Sequence, residues 1–118
     1  MKLNHINLTV TDVLETHAFL IKYFGLANEW PEANNKGMAF LTDDDGMVIS
    51  MFKANSSTPP KYPGNFHIGF IQENADKVNE INKRLRDDGY NVPPPSEQHG
   101  SWTFYFQSPG GFTIEVLS

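Results

Sequence analysis

An α+β fold built from two tandem βαβββ modules is what this sequence predicts, and three observations predict it. The stretches at residues 3–10 and 66–72 each alternate apolar and polar residues, with a histidine, His5 and His67, on the less apolar face. Each is followed by a capped, amphipathic helical stretch. Each module then closes on a hairpin with a glycine turn, and four residues beyond Gly46 and Gly111 stand Ser50 and Glu115. From His5 to Ser50 is 45 positions (50 − 5) and from His67 to Glu115 is 48 (115 − 67), so the repeat is nearly in register. One such unit cannot bury both faces of its sheet. Two side by side are expected to form a curved mixed sheet with helices outside and a ligand cleft within. The expected organisation is a single domain over residues 1–118, with module 1 at 1–54, a linker at 55–64 and module 2 at 65–118.

In the first module, Ile6, Leu8 and Val10 share one face of the opening strand, and His5, Asn7 and Thr9 share the other. A helix over 12–24 follows, with Asp12 as N-cap, Glu15 at capping-box spacing and Gly25 as the residue that ends it. Leu14, Phe19, Leu20, Tyr23 and Phe24 form its apolar stripe, and His17 reads as a surface or boundary residue. Strands at 37–41 and 47–52 flank the turn Asp43-Asp44-Asp45-Gly46. Three adjacent acids suggest calcium, but the longer alternating-oxygen pattern of an EF-hand is missing, so a solvated turn is expected. Met47, Met51 and Phe40 either pack in the core or line an apolar pocket.

In the second module, Phe66, Ile68 and Phe70 oppose His67, Gly69 and Ile71. A helix over 75–88 is capped by Asn74 and closed by Gly89, with Val78, Ile81 and Leu85 as its stripe. A short strand at 90–92 stops at Pro93-Pro94-Pro95, and the loop to Gly100 carries His99. The closing hairpin sets aromatic and β-branched residues around Ser108-Pro109-Gly110-Gly111. Its last strand puts Phe112, Ile114 and Val116 on one face and Thr113, Glu115 and Leu117 on the other. Glu115 either faces solvent or, if buried, needs a cation, a donor or water.

The chain has 118 residues, net charge −5, 39% hydrophobic residues and no cysteine. This suits one ordinary globular domain without disulfide or thiol chemistry. The acidic balance argues against nucleic-acid and anionic-membrane partners. With no signal-peptide pattern and no apolar run of spanning length, a cytoplasmic protein is expected. If the two modules face one cavity, His5, His67, Glu115 and Ser50 come together there. Two imidazoles and a carboxylate form a divalent-metal set with positions left open for water or substrate.

The chain resembles the vicinal oxygen chelate superfamily, which includes glyoxalase I, fosfomycin- and bleomycin-resistance proteins and extradiol dioxygenases. The resemblance covers essentially the whole chain and rests on four stretches, at residues 3–10, 23–26, 66–70 and 105–115. It implies a glyoxalase-like fold, a homodimer with sites possible between chains, and a small-molecule ligand or substrate that chelates through vicinal oxygens. It implies His5, His67 and Glu115 as ligands of a divalent metal (Zn, Mn, Ni or Fe(II)), with Ser50 where four-ligand members carry a Glu. Glu115 and Tyr105 are the implied catalytic residues. Tyr105, Trp102, Ser50 and His99 are the candidates for substrate contact, with an ordinary cross-strand role open for Tyr105 and packing or exposure open for Trp102 and His99.

Two departures from the family pattern stand out. The closing turn is Ser-Pro-Gly-Gly in place of Asp-Pro-Asp-Gly, and Ser50 removes the carboxylate used by isomerase-type members. Lyase, transferase and dioxygenase chemistries all remain open, and only His99 is at hand as the extra acid/base of a dioxygenase. The alternative is a metal-free binding protein of the bleomycin-resistance type, stacking a cationic ligand on Trp102, Tyr105 and Phe104.

Overall fold

The computed structural model describes residues 1–55 and 58–118; Ser56 and Ser57, which fall in the expected linker, lie outside the described residues. The chain divides into two compact units, residues 1–62 with 109–111, and residues 63–108 with 112–118. The boundary between Tyr62 and Pro63 lies inside the expected linker.

The first unit contains β1 (His5–Val10), α1 (Val13–Phe24), a 3-10 turn (Pro31–Ala33), β2 (Met38–Thr42) and β3 (Val48–Lys53). Its sheet has the order β1-β3-β2, with β1 parallel and β2 antiparallel to β3. The strand that the repeat calls for directly after α1 is reduced to one bridge, Ala27 to Thr42. The chain then enters Pro31, which has no N–H to give a ladder. Helix α1 packs on β2 and β3 and buries Leu8, Val10, Ala39, Leu41, Ile49 and Met51. Met51 is therefore core, on the strand face opposite Ser50, whereas Phe40 is half-buried on the Ser50 face.

The helix begins where expected. Asp12 is extended, and its carboxylate accepts the Glu15 N–H at 2.9 Å. Asp12→Ala is expected to cost about 1 kcal/mol of stability, as an unfilled N-cap does, measured by urea unfolding. The buried stripe differs from expectation, because Leu14 is 43% exposed while Val13, Thr16 and His17 are buried with Leu20 and Tyr23. His17 is thus no surface residue. Its Nε2 lies 3.3 Å from the Phe40 carbonyl and 3.3 Å from the Asn34 amide, so it is satisfied inside the fold. The acidic turn is also accounted for. Asp43 Oδ1 accepts the N–H groups of Asp45 at 2.9 Å and Met47 at 2.8 Å, and Gly46 takes φ 83°.

The second unit contains β4 (His67–Ile71), α2 (Ala75–Asp87), β5 (Ser96–Gln98), β6 (Ser101–Gln107) and β7 (Thr113–Leu117). Its sheet has the order β4-β7-β6-β5, with β4 and β7 parallel and the other pairs antiparallel. Helix α2, capped by Asn74, packs on β6 and β7 through Val78, Ile81 and Leu85. The strand expected at 90–92 forms later in the chain. Tyr90 N–H closes the helix on the Leu85 carbonyl, and the three prolines have no N–H, so the ladder starts at Ser96. β5 and β6 are joined by His99 and Gly100 at φ 54° and 79°, the two left-handed positions of a type I′ hairpin.

The two sheets repeat residue for residue. Asn7 pairs with Ser50 and Ser50 with Phe40; Gly69 pairs with Glu115 and Glu115 with Tyr105. His5 and His67 each stand two residues before the partner of that central position.

Candidate metal centre

Three strands build the site in the second unit. His67, Glu115 and Tyr105 are at alternating positions of β4, β7 and β6 and share the face opposite α2. His67 Nε2 lies 3.5 Å from Glu115 Oε2, and the rings of His67 and Tyr105 meet edge to face at 5.4 Å. His67 Nδ1 is 3.0 Å from the backbone carbonyl of Asn65, which can only accept. In the neutral ring the proton therefore sits on Nδ1, and the Nε2 lone pair faces a carboxylate oxygen. In that tautomer two acceptors face one another, an arrangement satisfied by a cation or a donor between them or by a proton on Nε2 itself. A metal-binding histidine is held in this way, its far nitrogen donating to a carbonyl.

The carboxylate is fixed on its other side. The Thr103 hydroxyl donates to Glu115 Oε1 at 2.9 Å and shares its proton with the Val116 carbonyl at 3.0 Å. Gly69, the parallel-strand partner of Glu115, has no side chain, and a Cβ there would stand 3.6 Å from Oε2. Burial, and then the hydrogen bond and charge of Glu115, raise the Tyr105 phenol above its ordinary value of 10.0. It stays protonated through the neutral range and is a donor. A cavity of about 450 Å³ opens beside these residues, lined by Gly64, Asn65, Phe66, His67, Tyr105 and Thr113.

The same face of the first unit carries His5, whose Nδ1 lies 2.9 Å from Asn4 Oδ1, as His67 Nδ1 lies against the Asn65 carbonyl. Ser50 is buried and used internally, accepting from the Asn7 amide at 3.0 Å and donating to the Ile6 carbonyl at 3.4 Å. The exposed group at that position is Asn7.

The sequence pattern of the Glyoxalase/Bleomycin resistance protein/Dioxygenase superfamily matches residues 2–116. The chain belongs to this superfamily. A possible glyoxalase from Bacillus cereus is 42% identical, with a TM-score of 0.88 over 100% of this chain and 99% of that one. Lactoylglutathione lyase from Agrobacterium tumefaciens shares the fold at 21% identity and a TM-score of 0.75, over 98% of this chain and 92% of that one. FosX, a fosfomycin resistance protein from Listeria monocytogenes complexed with Mn(II) and sulfate, shares it at 23% and 0.76, over 99% and 89%. No curated protein matches the sequence. Like these superfamily structures the chain has the glyoxalase fold, and among its described residues no helix is long and apolar enough to cross a membrane.

Of the residues expected in the superfamily site, the structure brings His67, Glu115 and Tyr105 together and leaves others apart. Among the described residues no group of three or more His, Asp or Glu side chains is gathered for a metal, so the donors within one unit are the pair His67–Glu115. Trp102 lies on the α2 side of its sheet, where its indole N–H donates to Asn79 Oδ1 at 2.8 Å. Phe104, one of the expected stacking residues, is 1% exposed and packs in the core. Strand parity carries this signal, since both are out of phase with Tyr105. His99 serves the β5–β6 turn. Thr103, Gly69 and the Asn65 carbonyl join the site without a signal of their own in the sequence. Parity puts Thr103 and Gly69 on the right face, but only the register brings them to Glu115.

Proposed function

We propose that this chain is a divalent-metal-dependent enzyme acting on a small substrate that chelates through two adjacent oxygens. One observation carries the reading: His67 Nε2, freed by the Asn65 carbonyl, stands beside a Glu115 carboxylate anchored by Thr103. This donor pair fits a divalent ion, with His5 as third ligand, supplied by the same chain or by the second copy of a homodimer. The Mn(II) held by the Listeria FosX structure supports the metal class. When bound, the ion supplies Lewis-acid stabilisation of negative charge on the substrate oxygens. The protonated Tyr105 phenol would donate a hydrogen bond to a substrate oxygen. Glu115, held at Oε1, presents Oε2 without a reorganisation cost. Ser50 gives the site no second carboxylate, so a reaction needing no separate base on that strand, such as addition of an incoming nucleophile, suits these residues best.

The metal-free alternative would have to bind its ligand without the stacking expected of Trp102 and Phe104, since Trp102 is turned to Asn79 and Phe104 is buried. Elemental analysis of protein purified without chelator tests the proposal. The expected result is about one transition-metal ion per chain, as one three-ligand site implies. No metal, and none taken up from Zn²⁺, Mn²⁺, Ni²⁺ or Fe²⁺, would sink it.

A further inference from the structure

The internal repeat supplies a control for the environment of Glu115. Around the central position the first unit sets Asn7 on the parallel partner, Phe40 on the antiparallel partner and Met38 two residues before Phe40. The second unit sets Gly69, Tyr105 and Thr103 in those places. In the first unit the central Ser50 is held from the parallel side, by the Asn7 amide, and the antiparallel side offers only a thioether. In the second the arrangement is reversed. The parallel side is emptied by Gly69, and both hydroxyl partners of the Glu115 carboxylate come from the antiparallel strand: the Thr103 hydroxyl donates to Oε1, and the Tyr105 phenol also hydrogen-bonds the carboxylate.

Thr103 is fully buried, an uncommon place for a hydroxyl unless its proton is used. Its two acceptors, Glu115 Oε1 and the Val116 carbonyl, are one residue apart on β7, so one hydroxyl ties the carboxylate to its own strand. With Oε1 tied, Oε2 is the oxygen left on the side of His67 Nε2.

We propose that Thr103 is a positioning residue that holds Glu115 by Oε1 and so turns Oε2 toward His67 Nε2, where the pair would hold a metal ion. The inference rests on the metal reading above and adds to it the group that sets the carboxylate's orientation. A free carboxylate turns between one- and two-oxygen binding. A hydrogen bond at Oε1 restrains that rotation and would keep Oε2 turned toward His67 Nε2.

Two substitutions of opposite character test it. Thr103→Val keeps the shape and loses the hydroxyl; Thr103→Ser keeps the hydroxyl and loses the methyl. With Mn²⁺ as probe, calorimetric titration of metal-free protein is expected to show affinity falling on the order of 10–100-fold in Thr103→Val, the range for lost outer-shell partners. Thr103→Ser is expected to stay within about 3-fold of the native protein, well short of that range. A packing role predicts the reverse order, and that order, or an unchanged Thr103→Val, overturns the proposal. Crystal structures of metal-free native and Thr103→Val protein separate this inference from the metal reading. If native protein takes up no Mn²⁺, the metal reading fails. The positioning claim is then decided by Glu115, which leaves its native rotamer in Thr103→Val if Thr103 holds it and overturns the claim if it stays.

Discussion

His67→Ala is expected to lower metal affinity by more than about 100-fold, because losing even an outer-shell partner costs 10–100-fold and here a ligand itself is removed. Glu115→Gln is expected to act in the same direction. Its amide oxygen can still accept from Thr103, but the charge that attracts the cation is gone. The fold should tolerate the histidine change. The His67 side chain is 41% exposed on the face away from α2, and substitutions at such positions shift stability by within about 0.5 kcal/mol. Calorimetric metal titration beside urea unfolding of the same variant checks both halves. A His67→Ala protein that still binds one equivalent of metal tightly would remove His67 from the ligand set.

Phe104→Ala is expected to do the opposite, costing about 3–5 kcal/mol of stability. Phe104 is 1% exposed, lies on the α2 face of β6 and stacks on Phe106 with ring centroids 5.8 Å apart. Removing its ring leaves a cavity that the sheet, held by ladders on both sides of β6, cannot close. This is a large fraction of the stability of a small domain, so the variant is expected to be partly unfolded near body temperature. Denaturant unfolding gives the number. A loss below about 1 kcal/mol would mean that the α2 face of this sheet is not the packed core it forms here. Phe104 and Tyr105 are neighbours in sequence, and the contrast between them is the contrast between the two faces of one strand.

That contrast also explains what could be read in advance. Strand alternation is a local property with a period of two, so the faces of His5, His67 and Glu115 were legible from their neighbours alone. Helix caps are equally local. Asp12, Asn74 and Gly25 each act on backbone groups within four residues, and each is where the sequence indicates. Proline runs are local as well, but their effect was misjudged. Pro93–95 do not end a strand; they delay one to Ser96, because the residues before them complete the helix terminus.

Sequence by itself determined the βαβββ repeat, the superfamily and the residues on the site face, since periodicity, caps and turn residues act over a few positions. Tertiary structure alone decided what each of those residues touches. It spends Ser50 on Asn7 and Ile6, buries His17 under the Phe40 carbonyl, turns Trp102 to Asn79, and hands the Glu115 carboxylate to Thr103. These partners lie from 12 to 44 positions apart along the chain. A hydrogen bond needs its donor and acceptor placed to within a few tenths of an ångström, which pairing register and helix docking provide and a one-dimensional pattern does not.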